Sequence, residues 1–94
     1  MRIVGRDRLV EFGRRHAGAR LPLGRWVEQT EAAVWAGPAD IKRQFAHASF
    51  LSGNRVVFNL GGNRFRLVVV AVYVRDLLDV RWVGTHSEYD KLNL

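Results

Sequence analysis

Residues 55 to 70, RVVFNLGGNRFRLVVV, can fold in very few ways. Two runs rich in β-branched and aromatic residues flank Gly61-Gly62, a pair able to supply the positive φ that a tight hairpin needs. The runs predict two antiparallel strands, residues 55–60 and 64–75. With a two-residue turn, Asn59 falls opposite Arg64, Phe58 opposite Phe65 and Val57 opposite Arg66. Any even loop length preserves the faces, because side chains alternate with period two. Val56, Phe58, Phe65 and Leu67 then share one face, and Arg55, Asn59, Arg64 and Arg66 share the other. The first is a core face. The second cannot be an ordinary core, since each guanidinium buried there without an anion would cost roughly several kcal/mol. These arginines must lie in water, pair with Glu28, Glu31 or Asp79, or face an anionic ligand. Val68, Val70, Val72 and Val74 continue the same face as apolar, so that half of the strand should be covered on both sides.

The rest of the chain supplies the other layer. Arg2-Ile3-Val4 is a short strand stopped by Gly5. Leu9, Phe12 and His16 recur at spacings of three and four, which predicts a helix over 6–16 with one apolar stripe. His16 on that stripe reads as structural. Gly18 suits the end of this helix, and Pro22 the start of a second. Leu23, Trp26, Val27, Thr30 and Val34 form its stripe, and Gly37-Pro38 ends it. Asp40 can cap a short third helix over 41–46. Residues 47–54 read as loop, 76–79 as a turn, 79–86 as a last strand, and the tail from Ser87 as one helical turn at most. The expected fold is α+β: strand, two helices, a short helix and three strands, with the helices on one face of a small, mostly antiparallel sheet.

Size and charge narrow the partners. The chain has 94 residues, enough for one domain spanning 1–94. Cysteine is absent, which removes disulfides and thiolate metal sites. The N-terminal stretch has no signal-peptide pattern, and the apolar run from Leu67 to Val74 is too short to span a bilayer. A soluble cytoplasmic protein is expected. The formal net charge is +6, and thirteen of the fifteen basic residues are arginine. Arginine stays charged at cellular pH and its planar fork matches phosphate, so a polyanion such as nucleic acid is the favoured partner.

A second cluster lies at the end of the last strand, in VRWVGTHSEYDKL, residues 80–92. Val80, Trp82 and Gly84 alternate there with Arg81, Val83 and Thr85. The strand runs out into His86, Glu88, Tyr89, Asp90 and Lys91. Side chains at such a point are fixed by the sheet yet open to solvent. His86 can move a proton near neutral pH, Tyr89 can stack on a base or donate its hydroxyl, and Lys91 can balance phosphate charge. A capped, solvated terminus with His86 bonded to Thr85 or Asp90 fits the same residues. His47 precedes the hairpin in a loop. No three residues have metal-ligand spacing, and no phosphate-loop pattern is present.

Several blocks together carry a resemblance: Trp35 with Asp40-Ile41-Lys42, Phe45 and Ala48; residues 57–67, with the pattern F-N-x-x-x-N-x-[FY]-R; and residues 83–91, with G-T-H-x-x-Y-D. In this order the chain resembles the HigB family of toxins from bacterial toxin–antitoxin pairs, part of the RelE-like group. The resemblance implies a RelE-like fold and a ribosome-dependent mRNA endoribonuclease that acts at the decoding site. It implies no metal or other cofactor, no membrane, and a HigA-type helix-turn-helix antitoxin. The implied reaction is attack of a ribose 2′-hydroxyl on its neighbouring phosphate. In that reading Arg66, His86 and Tyr89 are the catalytic candidates, with Arg66 at the phosphate and His86 carrying a proton. Arg55, Asn59, Arg64 and Lys91 would hold the RNA backbone. A non-catalytic RNA- or ribosome-binding domain, or a module that receives an acidic protein, would use the same basic face.

Overall fold

The computed structural model describes residues 1–93. The chain runs through strand β1 (Arg2–Val4), helix α1 (Arg6–Arg15), helix α2 (Arg20–Ala32), helix α3 (Pro38–Gln44), strands β2 (Ser49–Leu51), β3 (Arg55–Leu60), β4 (Phe65–Val72) and β5 (Leu77–Thr85), and helix α4 (His86–Asp90). The strands form one sheet in the order β1-β5-β4-β3-β2. Only the β1–β5 pairing is parallel; the remaining neighbours are antiparallel. This is the expected α+β architecture with one strand more than the sequence suggested. β2 lies in the stretch read as loop. Its three residues, Ser49, Phe50 and Leu51, pair with Val57, Val56 and Arg55 at the sheet edge. So short an edge strand, with only one partner, has no periodic signature of its own.

The helical stripes form largely where their spacing places them. Leu9 and Phe12 of α1, and Leu23, Trp26 and Thr30 of α2, are buried. They meet the inner face of the sheet, where Val56, Phe58, Leu60, Phe65, Leu67, Val69, Leu78 and Val80 are also buried. Aromatic rings knit the layers edge to face. Trp26 packs on Phe58 with centroids 5.4 Å apart, Phe58 on Phe45 at 5.2 Å, and Phe12 on Phe65 at 5.7 Å. His16 stacks on Phe12 at 4.3 Å, the structural place expected of it.

Four local expectations are corrected. The second helix begins at Arg20, not Pro22, after a 3-10 turn at Ala17–Ala19. It ends at Ala32, so Val34 falls outside its stripe and is exposed; the N-terminal ammonium of Met1 donates to the Thr30 carbonyl at 3.0 Å there. Pro38 does not terminate α2 but opens α3 at its first turn, where a missing N–H costs nothing. Asp40 is then inside that turn, accepting from the Ala36 N–H at 2.8 Å and pairing with Arg43. Finally, β4 stops at Val72. A 3-10 turn at Tyr73–Arg75 and Asp76 at φ 51° reverse the chain, and Val74 is left exposed.

The β3–β4 loop has four residues, with Leu60 opposite Phe65, Asn59 opposite Arg66 and Phe58 opposite Leu67. Gly61 and Gly62 take φ values of 60° and 70° in it. An even loop keeps the expected faces for the paired residues. It takes Arg64 out of the ladder, however, and that changes the site.

Candidate functional site: the hairpin end of the outer sheet face

Paired residues share a face, so the register defines the outer side of the sheet as rows. One row is Asn59, Arg66 and Gly84; the next is Val57, Val68 and Trp82; the next is Arg55, Val70 and Asp79. Val57 and Val68 are as buried as core residues yet stand outside the main core cluster. They form a small apolar floor of their own on this side. Val70 and Val72 are half-buried, so the double cover expected of this strand is confined to its hairpin half.

A β-bulge builds this floor. The register jumps between Val68, opposite Trp82, and Val69, opposite Val80, which leaves Arg81 unpaired in the ladder. Val80 therefore faces the helices, and Trp82 faces outward. Simple alternation along β5 put them on the same side, and the bulge corrects it. Arg81 instead pairs with Asp79 at 2.9 Å.

Arg66 is the most constrained of the expected site residues. It is only 7% exposed. One terminal nitrogen donates to the carbonyls of Asn63 at 3.1 Å and Phe65 at 3.2 Å, and the other to the Asn63 side-chain oxygen at 3.0 Å. All of these acceptors are neutral. Among the described residues no carboxylate pairs with Arg66, whereas Arg6, Arg14, Arg43 and Arg81 each have one. A buried guanidinium held by dipoles alone keeps a full charge available to an incoming anion.

The other arginines separate. Arg64 is exposed in the loop. Its guanidinium carbon lies 4.9 Å from the ring centre of Phe65, a residue of the inner face, and a Cβ on Gly18 would sit 3.3 Å from that carbon. Arg64 thus turns toward the helical layer, away from the face expected for it, because loop residues escape the period-two rule. Arg55 keeps its face but sits four residues from Asn59 along β3, roughly 13 Å away. It is tied to the β2–β3 turn, with donations to the Ser52 carbonyl at 2.8 Å and hydroxyl at 3.3 Å. The arrangement does not bring Arg55 to Arg66.

Helix α4 closes the same end. The His86 N–H donates to the Arg64 carbonyl at 2.9 Å, which joins α4 to the hairpin loop. Thr85 caps the helix: its hydroxyl accepts from the Glu88 N–H at 3.2 Å, while Glu88 accepts from the Thr85 N–H at 2.8 Å. The reciprocal pair satisfies two free donors of the first turn. Its Thr-x-x-Glu pattern was available in the sequence. The Thr85 N–H is the main reason the Glu88 carboxyl is held below its ordinary value, with the Thr85 hydroxyl, His16 and Arg15 adding to it.

His86 is exposed, and its Nε2 lies 3.3 Å from an Asp90 oxygen, one turn later. Tyr89 is half-buried, its ring 6.1 Å from that of Trp82. Lys91 is exposed at the C-terminal end of α4. Asn59, Arg66, His86, Tyr89 and Lys91 are thus carried by one end of the fold. Asn63 and Trp82 join them; neither was assigned a site role from sequence, although Asn63 is the second asparagine of the F-N-x-x-x-N pattern, because those roles depend on the loop's curl and on the bulge. A cleft of about 560 Å³ between α1 and α2, floored by Leu9, Val10, Leu23 and Val27, contains none of these residues. Among the described residues no group of three or more His, Cys, Asp or Glu is disposed to hold a metal ion.

A five-stranded, mostly antiparallel open sheet packed with helices is consistent with the RelE-like fold. The chain belongs to the HigB_toxin family, described as the RelE-like toxic component of a toxin–antitoxin system, whose model matches residues 19–92. No curated protein shows significant similarity to it.

Proposed function

We propose that this toxin is an mRNA endoribonuclease that works on the ribosome, at the decoding site, and so inhibits translation. The observation that carries this reading is Arg66: a nearly buried guanidinium with neutral acceptors only, at the end of the sheet where α4 presents an imidazole and a phenol. Such a charge is suited to a phosphate whose negative charge grows in the transition state.

The reaction begins as the ribose 2′-oxygen attacks the adjacent phosphorus. A pentavalent phosphorane forms, the bond to the 5′-oxygen breaks, and a 2′,3′-cyclic phosphate and a 5′-hydroxyl remain. One group takes the 2′ proton and another protonates the leaving oxygen. His86, its ring paired with Asp90, is the first candidate for one of these transfers, and Tyr89 is the second. Arg66 binds the phosphoryl oxygens. Asn59, opposite it across the ladder, and Lys91 align the backbone. Arg64 approaches the RNA from the helical side of the loop, and Arg55 serves at most as a distant phosphate contact.

Membership in a toxin–antitoxin family implies a partner antitoxin; the reading here makes it a HigA-type helix-turn-helix protein. No helix among the described residues is long and apolar enough to cross a membrane, in keeping with action in the cytoplasm. Inducing the chain alone in a bacterium, while following growth and mapping message ends, tests the proposal. Growth arrest with new 5′-hydroxyl ends inside open reading frames is expected. Normal growth with intact messages, from soluble protein, overturns it. Ribosome binding without cleavage would favour a non-catalytic binder.

A further inference from the structure

Among the described residues, Trp82 is the one aromatic side chain in the rows of the outer face that the mechanism above leaves unused. We infer that Trp82, with Tyr89, forms a platform on which a nucleobase next to the bound phosphate stacks; this rests on reading the Arg66 site as one for RNA.

Three observations place the platform. First, Trp82 stands opposite Val68 on the outer face, and the bulge at Arg81 parts it from Val80, which faces the helices. Bulges commonly re-aim a side chain beside a site. Second, the indole leans along β5 over Gly84, the residue paired with Arg66. A Cβ at Gly84 would lie 2.5 Å from Cζ2 of Trp82 and 2.9 Å from a Glu88 carboxylate oxygen, so the glycine makes room for both over the ladder position paired with Arg66. Third, Tyr89 meets Trp82 from α4 with ring centres 6.1 Å apart and planes at 52°. The two half-buried rings are tilted to each other, so one is free to stack on a base while the other borders it. Val57 and Val68 lie beside Trp82 in the same row of the outer face.

An aromatic plane beside a phosphate-binding cation is the arrangement that single-stranded RNA binders use, and it tolerates any base because every base has a π-face. Trp82 thus sets affinity and alignment, and it touches no reacting atom.

The tryptophans themselves provide the readout. Trp26 and Trp35 are 1% and 2% exposed, which leaves Trp82 as the accessible fluorophore. The probe is a short single-stranded oligoribonucleotide with 2′-O-methyl groups, which cannot undergo 2′-hydroxyl attack. A series carries one abasic nucleotide at successive positions. Binding should quench the emission. Trp82→Leu should weaken binding about tenfold or more, and Trp82→Phe by much less. One abasic position should weaken the wild type by a similar factor but cost Trp82→Leu nothing further. Unchanged affinity in Trp82→Leu, absence of quenching, or equal abasic penalties in both proteins would overturn the platform. Cleavage on ribosomes, measured in parallel, separates the two readings. A wild type that cuts while these results go against stacking keeps the nuclease and loses the platform.

Discussion

Asn63 grips Arg66 twice, through its backbone carbonyl at 3.1 Å and its side-chain oxygen at 3.0 Å, so the hairpin loop sets the direction of the guanidinium. Arg66→Lys keeps the charge but has no planar fork to fill both acceptors. It should lower ribosome-dependent cleavage at least about tenfold and destabilise the domain by about 1–3 kcal/mol through the unmade hydrogen bonds. Single-turnover cleavage and urea unfolding measure the two effects. Full activity in the lysine variant would show that charge alone suffices there.

His86 is coupled to little else, since its pairing with Asp90 is between exposed side chains. His86→Gln should change stability by no more than about 0.5 kcal/mol. Loss of a proton carrier should reduce cleavage by roughly 10²–10⁴-fold. Thermal unfolding and cleavage rates on the same preparation decide the matter. A rate within a factor of two or so of wild type moves proton transfer to another residue.

Thr85 carries α4 without touching the proposed substrate. Removing its hydroxyl in Thr85→Ala breaks half of the capping box and should cost about 1 kcal/mol. Because α4 holds both His86 and Tyr89, cleavage should fall too, while Thr85→Ser should restore both properties. Equal activity in Thr85→Ala and wild type would mean that the cap does not position the helix for chemistry.

Stability should fall on the acid side. The Glu88 carboxyl is held below its ordinary value of 4.5, chiefly by the Thr85 N–H. Asp40 is held below 3.8, chiefly by the Ala36 N–H and then by Arg43. A carboxyl lowered in the folded state stabilises it above the unfolded-state value, and that contribution disappears as pH falls through the folded one. Glu88→Gln should therefore be less stable than wild type at neutral pH, with the difference shrinking as the pH falls below the ordinary carboxylate value of 4.5. Urea unfolding across that interval should show the two curves converging; parallel curves would remove Glu88 from the acid response.

The sequence by itself determined the helical stripes, the two-sided character of the hairpin and the residue types at its end. These are local properties: helical spacing selects Leu9, Phe12, Leu23 and Trp26, and period-two alternation divides Phe58 from Asn59 and Phe65 from Arg66. An even loop preserved that division although the turn was two residues longer than expected. Tertiary structure decided what depends on pairing between distant segments. It recruited Ser49–Leu51 as an edge strand, withdrew Arg64 toward the helices, held Arg55 at the far end of its strand, and parted Trp82 from Val80 through one unpaired residue at Arg81. Alternation specifies faces only while a ladder is unbroken. Where it breaks, the direction of a side chain is set by the neighbours that the whole fold brings to it.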